Sequence, residues 1–128
     1  MSSFLKGEKM GVIKKLSNII PVDFGEFQLE YVANDANIKR MKTIGQNMEK
    51  RAKKLEEADD ESAFKEAYKA SKESWTELFD EEAFEKVYKF SGETTTDTIY
   101  YLIQTIRGIV TEFENRHSEK AIKKYLEG

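Results

Sequence analysis

From Phe27 to Val32 the chain alternates apolar and polar residues, Phe-Gln-Leu-Glu-Tyr-Val, the pattern of a half-buried β-strand. One other segment, around Ile19–Phe24, has strand character, and Asp23 to Glu26 with Gly25 supplies turn chemistry between the two. The pattern predicts a small hairpin. A lone hairpin is marginal in water, so this one must pack on helices or pair with another chain.

Beyond the hairpin the period changes from two to three and four. Asn34 or Asp35 can cap a helix whose apolar stripe is Ile38, Met41, Ile44, Met48, Ala52 and Leu55. The run Arg51-Ala-Lys-Lys-Leu-Glu-Glu ends it, and Asp59-Asp60 opens a second helix with Phe64, Ala67, Tyr68, Ser71, Trp75, Leu78 and Phe79 on one face. Asp80 caps a short third helix carrying Phe84, Val87 and Tyr88, which Gly92 stops. Thr95 or Thr96 caps the last helix, with Ile99, Leu102, Ile103, Ile106, Val110 and Phe113 aligned. Arg116-His117-Ser118 breaks or bends it before Ile122, Tyr125 and Leu126. The expected fold is mainly α: about four helices in a small bundle with a short N-terminal β-hairpin.

The first twenty residues are less regular. Val12, Ile13, Leu16, Ile19 and Ile20 have helical spacing, while Gly7 and Gly11 weaken a helix and Pro21 biases Ile20 toward extended backbone. Residues 12–19 read as either a short helix or an extended segment, and residues 1–11 as a mobile arm. The 128 residues suffice for one core, so 12–128 is read as a single domain. No repeat of solenoid length is evident.

Composition narrows the function. The chain is 39% hydrophobic, too apolar for a disordered chain, and 35% charged with both signs mixed, as solvated helix faces require. Residues 56–85 hold 3 basic and 12 acidic side chains, whereas residues 1–55 hold 11 basic and 6 acidic. An acidic middle with dispersed Lys elsewhere speaks against nucleic acid, which needs clustered cations. No apolar run approaches the ~20 residues of a membrane span, and nothing in residues 1–20 reads as a signal peptide.

Candidate chemistry is sparse. The chain has no cysteine and one histidine, His117, which excludes thiolate sites and leaves no partner at zinc-ligand spacing. Glu114-Asn-Arg-His117 gives the Glu-x-x-His of a di-iron site once, not twice. Asp59-Asp60-Glu61 lacks the spacing of a calcium loop, and these acids suit helix N-termini instead. Gly7 and Gly11 follow no strand, and Thr94-Thr95-Thr96-Asp97 reads as a cap rather than a phosphate site. The reading is of a non-enzyme with no cofactor and no metal.

The aromatics stand out. Trp75, Phe79, Phe84, Tyr88 and Phe90 fall within sixteen residues, followed by Tyr100-Tyr101, and a core this small has no room for all of them. Some are expected at the surface, where aromatics anchor partners. Trp75, Phe79, Phe84, Tyr88 and Tyr101 are the candidate protein-binding residues. The mixture of acids and aromatics in Phe79-Asp-Glu-Glu-Ala-Phe-Glu-Lys-Val-Tyr88 suits docking to a basic amphipathic helix.

The order of these elements resembles a known family. A short β segment, a Lys/Glu-rich helix, Leu78-Phe-Asp-Glu-Glu-Ala-Phe-Glu-Lys-Val-Tyr88 and a closing helix with Leu102-Ile-Gln-Thr-Ile-Arg-Gly-Ile-Val-Thr-Glu-Phe113 are similar to tail assembly chaperones of long-tailed phages and prophages of Gram-positive bacteria. The likeness spans about residues 20–115. It implies a protein of the host bacterial cytoplasm that binds the tape measure protein, helps the tail tube protein polymerise around it, and is absent from the finished virion. It also implies that this chain is the short form of a pair, the longer made by frameshifting. The alternative is a structural phage component such as a head–tail connector or tail-end subunit. Should the chain form a homo-oligomer, the edge of Phe27–Val32 is where it would pair.

Overall fold

The computed structural model describes residues 11–55 and 59–118, with 123 and 126. Its elements run β1 (Ile19–Asp23), β2 (Gln28–Val32), α1 (Asp35–Leu55), α2 (Asp60–Leu78), α3 (Glu81–Phe90) and α4 (Thr95–Arg116). This is the expected helical bundle with a hairpin. The arm read into residues 1–11 lies outside the described residues except for Gly11. Residues 12–18 form no helix, which resolves that segment to irregular, exposed chain.

The hairpin pairs antiparallel, with Ile20 opposite Tyr31 and Val22 opposite Leu29. Its turn is built locally. The Phe24 N–H donates to the Phe27 carbonyl, and the Asp23 carboxylate accepts from the Gly25 N–H at 2.8 Å. Gly25 sits at φ 86°, a left-handed conformation that costs a glycine little. Leu29 and Tyr31 face the core, whereas Gln28, Glu30 and Val32 face solvent. The Tyr31 hydroxyl donates to the Asn37 carbonyl at 2.6 Å, fixing the hairpin to the start of α1. Burial pushes the Tyr31 phenol above its usual pKa, with Arg40 opposing.

Asn34 is the cap of α1: its side chain accepts from the Asn37 N–H at 2.8 Å. Asp59 caps α2 through the Ser62 N–H, and Asp80 caps α3 through the Ala83 N–H at 2.7 Å. A left-handed Gly92–Glu93 pair turns the chain from α3 into α4. Here the expected cap shifts by one or two residues. Thr94 occupies the cap position without a side-chain bond to the helix, and Thr95 is already buried in the first turn.

Two stripes need correction. In α1 the buried line is Ile38, Met41, Ile44 and Met48; Ala52 is exposed. In α2 it runs from Ala70 to Leu78, and Phe64 is 65% exposed. The first turn of α4 meets α2 at Ser71 and Trp75, about two turns or more along the helix from the exposed Phe64. The described contacts between α1 and α2 include ion pairs of Arg51 with Glu66 and Glu73.

The deepest line of α4 is Thr95, Thr98, Leu102, Thr105 and Ile109. The aliphatic stripe read from the sequence flanks it: Leu102 alone is fully buried, while Ile99, Ile103, Ile106, Val110 and Phe113 are half-buried. α4 packs against α1, α2, α3 and β1, so a broad arc of its surface is covered rather than one stripe. It ends at Arg116 with His117 as C-cap, as expected. Of the residues beyond, Ile122 and Tyr125 lie outside the described set and Leu126 is exposed. Among the described residues no helix is long and apolar enough to cross a membrane.

Candidate protein-binding surface

The hairpin turn carries two aromatic rings, Phe24 and Phe27, stacked with centroids 4.7 Å apart. Phe90, the last residue of α3, meets both edge-on at 5.2 and 5.9 Å. Tyr101 on α4 continues the cluster, 5.4 Å from Phe90. Edge-to-face and offset pairs of this kind are the favourable arrangements of ring quadrupoles. The turn is thereby wedged against the junction of α3 and α4.

Beside this cluster an open groove of ≈ 670 Å³ runs between β1 and α4. Ile20, Val22, Phe24, Phe90, Tyr101 and Ile109 supply its apolar surface, with Asp23, Gln104, Glu112 and Arg116 around it. Arg116 closes one end. Its Nε donates to Glu112 at 2.8 Å, and its Nη1 donates to the carbonyls of Ser17 and Ile19. Gly108 lies in the α4 wall, and a Cβ built there would meet nothing within 4 Å. A helical glycine costs roughly 0.5–1 kcal/mol relative to alanine, and here it leaves a notch where another backbone can approach.

The five candidate aromatics do not form one surface. Trp75 and Phe84 are 0% exposed and belong to the core. Trp75 is held there because its indole N–H finds a buried acceptor, the Thr98 carbonyl, at 3.0 Å. Phe79 packs between Trp75 and Tyr31, half-buried on the β2 side of the molecule. Tyr88 stacks on Phe84 and meets Tyr68 edge-on. Only Tyr101 reaches the groove. Among the described residues the aromatics that are largely exposed are Phe64 and Tyr100, neither among the five.

Phe24, Phe27 and Phe90 are not among the five candidates that the sequence pattern offers. The available signal was Phe-Gly-Glu-Phe: aromatics at the first and fourth positions of a tight turn lie side by side.

The acids have structural work. Asp59 is held below its usual pKa chiefly by the Ser62 N–H it accepts, and Glu82 pairs with Lys86 at 3.6 Å. His117 is exposed, with Nδ1 2.8 Å from the Phe113 carbonyl and its ring against Phe113. Among the described residues no three His, Cys, Asp or Glu side chains converge as a metal set. Comparison with protein-family models, curated proteins and solved structures returned no match to this chain.

Proposed function

We propose that this chain is a non-enzymatic phage tail assembly chaperone whose β1–α4 groove holds an amphipathic helix of the tape measure protein while the tail tube protein assembles. The groove carries this reading. It is open, aromatic at one end and polar around the rim, the form of a site that takes an amphipathic helix by its apolar face. The Gly108 notch allows close approach of a client backbone. The acidic segment 56–85 would steer lysine-rich client segments toward the molecule without contributing much to final affinity.

Co-expression with a tape measure protein tests the proposal. The wild-type chain is expected to keep that protein soluble and to co-elute with it. Gly108→Leu fills the notch from a helical position with open space around it, so it should fold normally yet lose the client. A client that stays insoluble with the wild-type chain, or a complex indifferent to Gly108→Leu, overturns the proposal.

A further inference from the structure

The two edges of the hairpin are not equivalent. Asn18, Ile20, Val22 and Phe24 pair inward with Ala33, Tyr31, Leu29 and Phe27, so Ile19, Pro21 and Asp23 turn their backbone groups to the outer side of β1. That side is blunted. Pro21 has no N–H, the Ile19 N–H is taken by Ser17 Oγ, and the Ile19 carbonyl by Arg116. On β2 the outward residues are Gln28, Glu30 and Val32. Among the described residues, only the Val32 carbonyl of this edge has a partner, the Asn37 side chain.

The β2 edge opens onto two adjoining hollows of ≈ 280 and ≈ 450 Å³ that share Glu30, Phe79 and Asp80. Their charged lining is Glu30, Glu77, Asp80 and Glu82 against Arg40 and Lys86, a net acidic trough. A basic strand with apolar residues would complement it.

The chain carries such a segment. Val12-Ile-Lys-Lys-Leu16 is irregular, with Val12 59%, Ile13 92% and Leu16 70% exposed. Its root is fixed where Arg116 holds the carbonyls of Ser17 and Ile19.

We infer that residues 12–16 of one copy add as an antiparallel strand to the β2 edge of a second copy, with Lys14 opposite Glu30. In that register Val12 meets Val32, which is 41% exposed, on the outer face. Ile13 and Lys15 turn to the other face, toward Tyr31 and Phe79 and the trough carboxylates. The alternative of two β2 edges pairing about their centres sets Glu30 against Glu30, an unfavourable cross-strand pair.

A chain cannot serve itself in this way. From a place opposite Gln28, Leu16 would have to rejoin β1 at Ile19 across roughly 16 Å, and three residues span at most roughly 11 Å. The occupant is therefore a second copy, which involves neither the groove nor a client.

Charge reversal tests the register in the full chain. Lys14→Glu and Glu30→Lys alter exposed side chains, and each alone should weaken self-association in sedimentation equilibrium by about tenfold. An equal mixture of the two restores opposite charges at every exchanged strand and should associate like wild type. Since the chain has no cysteine, a mixture of Val12→Cys and Val32→Cys chains should form a disulfide-linked dimer on oxidation. A wild-type chain that is monomeric at every accessible concentration, association unmoved by the reversals, or an absent cross-link overturns the inference. None of these readouts depends on the chaperone proposal.

Discussion

Trp75 donates its indole N–H to the Thr98 carbonyl across 3.0 Å, joining the last turn of α2 to the first turn of α4 where neither residue touches solvent. The ring also packs against Phe24 and Phe79, so this one side chain links the hairpin turn to two helices. Trp75→Phe removes the bond and part of the ring volume together. The expected loss is about 2–3 kcal/mol, combining a hydrogen bond near 1 kcal/mol with a cavity contribution. Urea unfolding followed by far-ultraviolet circular dichroism measures it, because the variant lacks the only tryptophan.

The hydroxyls beside that bond form a chain with a defined direction. Thr98 Oγ1 donates to the Thr95 carbonyl at 2.6 Å, so Ser71 Oγ must donate into Thr98 Oγ1, also at 2.6 Å. Ser71→Ala leaves the Thr98 donor satisfied and should cost about 1 kcal/mol; Thr98→Val strands a buried Ser71 hydroxyl and should cost more, up to about 3 kcal/mol. The double variant should be more stable than the sum of the two by roughly 1 kcal/mol. A strictly additive cycle in denaturant unfolding would show that the contact is not energetic.

Acid should expose the role of Asp59. Its folded pKa lies below the usual 3.8 because the charged form accepts the Ser62 N–H. A depressed carboxylate contributes stability above its unfolded pKa and loses it as pH falls through the folded value. The stability gap between wild type and Asp59→Ala is therefore expected to be constant near neutrality and to shrink below about pH 4. Thermal unfolding at a series of pH values follows it, and a gap independent of pH would remove the charge from the account.

Much of the fold was legible because its signals are local. The alternation at Phe27–Val32 acts within six residues, the turn at Gly25 and the cap at Asp80 within four, and each lies where the pattern places it. The deep face of α4 was not legible. Threonine counts as polar in a periodicity, yet the Thr98 hydroxyl finds partners that exist only once α2 is in place. The candidate binding surface was hidden for the same reason. Density of aromatics along the sequence pointed to Trp75–Tyr101, but exposure depends on which ring meets a buried acceptor and which meets the hairpin. Phe24 and Phe90 are 66 positions apart in sequence and become neighbours only through the tertiary fold.

Pro21 carries a consequence beyond its own strand. Two-stranded ribbons with both sides open can stack end over end into fibres, each molecule templating the next on either flank. This chain places its only proline at the centre of one flank, where the missing N–H interrupts any ladder. The hairpin therefore has a front and a back. Whatever strand joins it joins at the front, and copies cannot line up back to back into a continuous ribbon. Together with the Ser17 and Arg116 bonds to Ile19, this one imino acid leaves β2 as the open flank of the hairpin.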